Sequence, residues 1–143
     1  MSDRPPQRLL DTPSWLLTQI AAGAGRRSRE VFDSIGAGRY HYAILCAVEE
    51  FQPCSQAEIG RRLHIDRKDV AQRVGELEEG GYVEREPDPA DPRRNLVRMT
   101  RAGAAHLQSI ASELARAQDG LLAPLSVERR ANFVTALQQI LDR

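Results

Sequence analysis

The sequence predicts a mainly α protein with one small antiparallel β hairpin, a winged helix-turn-helix flanked by long helices. Three observations carry that expectation. Two short amphipathic segments, one opening at Ser55 and the other covering residues 66–79, are separated only by His64-Ile65. Two alternating segments, 82–86 and 95–100, follow directly. Apolar residues at helical spacing dominate residues 12–36 and 101–143. A tight pair of helices followed by a hairpin is the pattern that presents its second helix to a DNA major groove.

Taken in order, residues 1–11 are polar and proline-rich and are expected to be mobile or to lie as an arm over a partner subunit. Thr12-Pro13 starts a helix, with Thr12 as N-cap and proline at the first helical position. Trp15, Leu16, Ile20, Val31, Phe32 and Ile35 give it an apolar side. The glycines around residues 23–25 cost about 1 kcal/mol each against alanine, so a kink or a close helix crossing is expected there. Gly36-Ala37-Gly38 breaks the chain. Residues 39–51 form the next helix, and Pro53 ends it.

Ser55-Gln56-Ala57-Glu58 has the spacing of a capping box. Asp66 is a good N-cap for the second helix, and Asp69 suits the positive end of its dipole. Val70, Val74 and Leu77 form its inner stripe, and Lys68, Gln72, Gly75 and Glu76 the opposite one. Gly80-Gly81 stops it. The two alternating segments pair as a hairpin, and residues 87–94 between them read as a long, charged loop rather than a tight turn. Thr100 caps a helix through about Leu122, and Ser126 caps the last one. The chain reads as one domain, residues 1–143, with a DNA-binding lobe at 38–100.

Composition narrows the function. No apolar run approaches the roughly 20 residues of a membrane span. The N-terminus shows no signal-peptide pattern, so a cytoplasmic protein is expected. The three histidines and two cysteines have no metal-ligand spacing, and no phosphate loop or nucleophile elbow is present. An enzyme, a cofactor and a metal are therefore not expected. Net charge is zero, 20 basic against 20 acidic residues, where a nucleic-acid binder usually carries a basic footprint. Placement matters more. Arg61, Arg62, Arg67, Lys68 and Arg73 cluster in the two helices, and Arg93 and Arg94 sit at the wing tip, while Glu76, Glu78, Glu79, Glu84 and Glu86 collect at the far end.

Lys68 and Gln72 are the candidates for base-edge contact, since lysine to guanine and glutamine to adenine are standard pairings. Both equally fit a solvated surface. Arg61, Arg62 and Arg67 can meet phosphate or pair within the chain. Ser55 and Gln56, at a helix N-terminus, can meet phosphate. Arg93 and Arg94 fit a narrow minor groove. Cys46 reads as a small buried apolar residue, and Cys54 as a loop thiol open to reaction.

The stretch 40–107 resembles the MarR family of transcription regulators. Asp91-Pro92-Arg93, five residues, then Met99-Thr100 and Gly103 is similar to that family's D-x-R-x5-[LM]-T-x-x-G wing signature. Ser55 to Ile59, Leu63, Ile65-Asp66-Arg67, Val70 and Leu77-Glu78 resemble its helix-turn-helix pattern. Gln72 and Arg73 depart from it, because arginine then an aliphatic residue is usual there. The resemblance implies an isologous homodimer whose terminal helices, 12–36 and 101–143, interlock. It implies double-stranded DNA as partner, bound at a pseudo-palindrome, usually for repression. It implies an Asp91–Arg93 pair that fixes the wing tip and leaves Arg94 to enter the groove. It also implies a small aromatic or phenolic effector, for which Trp15, Phe32, Arg39, His41 and Tyr42 are the candidates, although each also reads as core or surface. Two rivals remain at this point: a winged-helix module that binds protein instead of DNA, and an oxidant sensor acting through Cys54.

Overall fold

The computed structural model describes residues 3–142. Met1, Ser2 and Arg143, which the readings of the arm and of the last helical segment include, lie outside the described residues. The elements run α1 (Gln7–Leu10), α2 (Pro13–Ile35), α3 (Arg39–Phe51), β1 (Cys54–Ser55), α4 (Gln56–Leu63), α5 (Arg67–Glu79), β2 (Val83–Asp88), β3 (Asp91–Met99), α6 (Arg101–Leu121) and α7 (Val127–Leu141). They divide into two compact units. One covers Arg29–Glu113 and contains the helix-turn-helix and the wing. The other joins Met1–Ser28 to Leu114–Arg143.

In the first unit the core is the inner stripe of each helix closed by the sheet. Ile44, Leu45 and Val48 of α3, Ile59 of α4, Val70, Val74 and Leu77 of α5, Val83 of β2 and Val97 of β3 are all buried. The Val70/Val74/Leu77 stripe expected for the second helix is the one that faces inward. Fully burying such a side chain contributes about 1.5–3 kcal/mol, so this stripe is what holds α5 in place and turns its other side outward.

Caps and turns fix where each helix begins. Ser55 Oγ accepts from Glu58 N–H at 3.1 Å, and Glu58 Oε2 accepts from Ser55 N–H at 3.4 Å, which completes the expected capping box. His64 takes the left-handed conformation, φ 54°, and lets Ile65 N–H return to the Gly60 carbonyl at 3.0 Å. Asp66 Oδ1 then accepts from Lys68 N–H at 2.8 Å and opens α5. At its far end Gly81 turns the chain with φ 79°, a value that only glycine adopts without strain.

The sheet corrects two expectations. It has three strands, in the order β1-β3-β2, not two. The extra strand is Cys54–Ser55, paired antiparallel to Val97 and Leu96. Two residues are too few to show alternation, so no periodicity marks this strand. The wing is also tighter than expected. Strands occupy most of the segment read as a loop, and Asp88 pairs with Asp91 across a tip made of Pro89 and Ala90. Two aspartates supply the turn: Asp88 Oδ1 accepts from Ala90 N–H at 2.9 Å, and Asp91 Oδ1 from Arg93 N–H at 3.1 Å. A register shift at Pro87/Asp88 absorbs the mismatch.

The start of α6 docks on the junction between α5 and β2. Thr100 N–H donates to the Tyr82 carbonyl at 3.1 Å, Thr100 Oγ1 donates to the Gly81 carbonyl at 2.6 Å, and Gly103 N–H donates to Thr100 Oγ1 at 3.0 Å. Gly103 is buried, and a Cβ there would lie 2.0 Å from the Tyr82 oxygen. The signature threonine and glycine are therefore parts of one joint.

In the other unit, α1 gives residues 7–10 a helical turn where a mobile arm is expected. Gln7 Nε2 donates to Asp11 Oδ1 at 2.8 Å and Arg4 to Gln7 at 3.0 Å. Helix α2 is continuous for 23 residues and passes through the glycines at 23 and 25 without a break. Ser126 Oγ caps α7 by accepting from Arg129 N–H. Val127, Val134, Ile140 and Leu141 of α7 remain exposed, by 83, 44, 52 and 83%.

Candidate nucleic-acid interface

A groove of about 300 Å³ lies where the N-termini of α4 and α5 meet the wing. Its lining is Ser55, Gln56, Ala57, Arg67, Lys68, Ala71, Arg93, Arg94 and Asn95. Four of these nine are cations and none is an acid. Both helix N-termini open onto it, and each adds partial positive charge and backbone N–H groups. A chain of zero net charge thus carries a concentrated positive site.

Three glutamates of α5 and the wing are paired outside its lining. Glu78 accepts from Arg85 through three donors, Nε at 3.3 Å, Nη2 at 3.0 Å and the backbone N–H at 3.0 Å. These bonds hold its carboxyl below the usual range. Glu86 pairs with Arg98 at 2.9 Å. Glu76 accepts from His41 Nε2 at 2.6 Å and from Arg73 at 3.1 Å, and its carboxyl is likewise lowered, by the His41 bond first. Each pair is partly solvated and contributes little stability. Their consequence is electrostatic: the negative charge stays bound at the wing base and the far end of α5.

The structure sorts the candidate residues. Ser55, Gln56, Arg67, Lys68, Arg93 and Arg94 come together in the groove. Ser55 is buried, 2% exposed, and its hydroxyl serves the capping box, so it builds the site from beneath. Gln56 Oε1 accepts from Arg85 at 3.4 Å, which ties α4 to the wing base. Arg61, Arg62, Gln72 and Arg73 lie outside the lining. Arg62 is exposed but held, with its guanidinium 3.7 Å from the Phe51 ring centre and 3.7 Å from Glu58. Arg73 is bound to Glu76. Gln72 is exposed one turn beyond Lys68. Ala57, Ala71 and Asn95 complete the groove and carried no signal in the sequence, since small or neutral residues become site-forming only once the elements meet.

At the wing, Asp91 and Arg93 do pair, Nε to Oδ1 at 3.3 Å. Neither arginine is without a partner. Arg93 keeps a side chain 91% exposed, whereas Arg94 reaches back to donate to Ser55 Oγ at 3.3 Å.

The effector candidates of the first unit each have a partner within it. Phe32 and Tyr42 meet with ring centres 6.3 Å apart. Arg39 lies over the Tyr40 ring. His41 is held at both nitrogens, accepting from Gly38 N–H at Nδ1 and donating to Glu76 at Nε2. Trp15 is half-buried on α2, in the other unit. Cys54 corrects a further expectation. It is 1% exposed in β1, not in an open loop, and burial pushes its thiol up to about 11. About one such thiol in ten thousand is ionised at pH 7, the opposite of a reactive sensor. Cys46 is also raised, by burial. Among the described residues no cluster of three potential ligands could hold a metal, and no helix is long and apolar enough to cross a membrane.

Two helices on a tight left-handed turn, a three-stranded wing sheet and a cationic groove between them define a winged helix-turn-helix protein. The chain belongs to the MarR family, whose model matches residues 37–94. A solved structure of a probable transcriptional regulator from Pseudomonas aeruginosa is 30% identical, with a TM-score of 0.74 over 92% of this chain and 98% of that one. The HTH-type transcriptional repressor NicR of Pseudomonas putida is 27% identical over 101 residues, 71% of this chain. The match spans 64% of that relative's own length. Bordetella bronchiseptica BpsR, whose DNA binding is described as regulated by 6-hydroxynicotinic acid, has a TM-score of 0.80 at 20% identity, covering 92% of this chain and 94% of that one. At that identity the likeness is one of fold.

Proposed function

We propose that this chain is a DNA-binding transcription regulator, a ligand-responsive repressor that binds a pseudo-palindromic operator as a homodimer and carries out no catalysis. The observation that carries this reading is the groove. Four cations and two helix N-termini converge there, while Glu76, Glu78 and Glu86 are paired outside its lining. Phosphate binding needs that placement, and net charge does not reveal it. Arg67, Arg93 and Arg94 meet the DNA backbone or minor groove. Lys68 and Gln72, on the outward side of α5, meet base edges.

The homodimer rests on the apolar face of α7, whose exposed valines and leucines need a cover. Segments 12–36 and 101–143 supply the interlocked helices. Two-fold symmetry then sets two α5 helices about one DNA turn apart. For the effector, a small aromatic acid or phenol is the class we favour, in keeping with the compound that regulates BpsR. Phe32, Arg39, His41 and Tyr42, with Trp15, are the residues to test against it.

Hydroxyl-radical footprinting on the chain's own upstream DNA, with mass measurement of the complex, tests the reading. Two protected half-sites about ten base pairs apart, with two chains per duplex, are expected. A single protected patch with one chain per duplex would overturn the dimeric part. No protection at low salt would overturn DNA binding.

A further inference from the structure

Glu76 is an unexpected residue on a DNA-reading helix, because a carboxylate there opposes phosphate. The structure gives it a definite set of partners. Its Oε2 accepts from His41 Nε2 at 2.6 Å. Its Oε1 accepts from Arg73 Nη1 at 3.1 Å and from Gln72 Nε2 at 3.2 Å. The direction of the last bond follows from chemistry. An ionised carboxylate only accepts, so the Gln72 amide must turn its nitrogen toward Glu76 and its carbonyl oxygen away. His41 is likewise fixed. Its Nδ1 accepts from Gly38 N–H at 3.2 Å, which leaves the proton on Nε2 for Glu76. The carboxylate is therefore held from α3 and from its own helix, and Gln72, four residues earlier on the exposed side, is held in turn.

We infer that Glu76 is a positioning residue that sets which base Gln72 accepts. This rests on the proposal that α5 reads the major groove. An amide that presents its oxygen favours a base with an exocyclic amino group there, adenine through N6 or cytosine through N4. The second amide N–H remains available for adenine N7. Guanine and thymine present O6 and O4, which meet the glutamine oxygen acceptor to acceptor. Without Glu76 the amide can rotate by half a turn and offer N–H groups to those keto oxygens. Gln72 alone would discriminate poorly; the Gln72–Glu76 pair discriminates between amino and keto bases. The acid's presence is thus explained by specificity, and its charge is offset by Arg73.

The test is selection of bound duplexes from a randomised library by the full chain and by Gln72→Leu, Glu76→Gln and Glu76→Asp, with the melting temperature of each recorded. Wild type should enrich one base pair about tenfold at one position in each half-site. Gln72→Leu should flatten that position. Glu76→Gln should flatten the same position to within about twofold, while its affinity for random duplex rises because a negative charge has left the helix. Glu76→Asp, which keeps the charge but is too short to span His41 and Gln72, should flatten it too and serves if Glu76→Gln lowers the melting temperature. Every base pair carries one amino and one keto edge in the major groove, so the contacted base is identified with duplexes that lack either the exocyclic amino group or the keto oxygen of the selected pair; affinity lost on removing the oxygen and not the amino group would overturn the inference. So would intact selectivity in both Glu76 variants beside its loss in Gln72→Leu, or intact selectivity in Gln72→Leu itself. Failure of wild type to bind any duplex would instead overturn the DNA-binding reading on which the inference rests.

Discussion

Replacing Gly103 by alanine should destabilise the winged-helix unit by about 2–4 kcal/mol, although alanine is the better helix former. An added Cβ would stand 2.0 Å from the Tyr82 oxygen, 2.9 Å from its carbonyl carbon and 3.0 Å from Met99 Cγ. The nearest two atoms are backbone and cannot rotate aside. The start of α6 must therefore withdraw from the α5–β2 junction. Overpacking of this kind costs about 1–3 kcal/mol. Withdrawal also strains the bonds from Thr100 to Tyr82 and Gly81, 3.1 and 2.6 Å long, each worth about 1 kcal/mol. The gain in helix propensity, about 1 kcal/mol, runs the other way and is outweighed. Gly75→Ala is the control, since its Cβ would meet only the Arg85 Nη2 atom, at an ordinary 3.9 Å. There propensity alone should act and stability should rise by about 0.5–1 kcal/mol. Urea denaturation followed by circular dichroism, at one fixed protein concentration because association adds to apparent stability, measures both. If Gly103→Ala came within about 1 kcal/mol of wild type, or shifted in the same direction as Gly75→Ala, the close approach would not be the reason for this glycine.

Three further outcomes follow from the same structure. Cys54 should resist thiol reagents at pH 7 until the protein is unfolded, because burial raises its thiol to about 11; modification of the folded protein at the rate of an exposed cysteine would refute its placement. His106, stacked on Tyr82 at 4.1 Å, is held below its ordinary value of 6.5 by burial and then by His41. The unfolded chain therefore takes up its proton first, so this group costs nothing above pH 6.5 and weakens the fold as pH falls through and below that value. Melting curves of His106→Phe between pH 7.5 and 5.5 should fall less steeply than wild type, and parallel profiles would remove His106 as the cause. Ile59→Ala empties a fully buried site in α4 and should cost about 2–5 kcal/mol; a loss under 1 kcal/mol by urea denaturation would mean that α4 is not anchored as described.

What could be read from the sequence was whatever repeats or caps. The period of Val70, Val74 and Leu77 identified the inner side of α5, and Ser55, Asp66 and Ser126 marked helix starts whose hydroxyl or carboxyl oxygens do accept the expected backbone N–H. Proline count misled at the wing. Pro87, Pro89 and Pro92 suggested a long loop, but Pro87 lies in the edge strand β2, which tolerates proline, Pro89 is in the tip, Pro92 falls where β3 has no ladder partner, and two aspartate-bonded turns close the hairpin. The strand at Cys54–Ser55 was hidden by its length, and with it the burial of Cys54. The partners of Arg62, Arg94 and Glu76 were hidden for another reason. They come from residues 39 and 35 positions away, or from a ring, as with Ser55, His41 and Phe51. No local pattern encodes such pairs, and they decide which charges face the groove.

Salt dependence of duplex binding reports where that charge lies. Arg94→Ala and Arg98→Ala remove the same formal charge from the same strand, but Arg94 lines the groove while Arg98 is paired with Glu86 outside its lining. The logarithm of affinity against the logarithm of salt concentration should lose about 0.9 of slope for each phosphate contact removed. That loss is expected for Arg94→Ala, and an unaltered slope for Arg98→Ala. Equal losses in both, or no salt dependence in wild type, would contradict that distribution of charge.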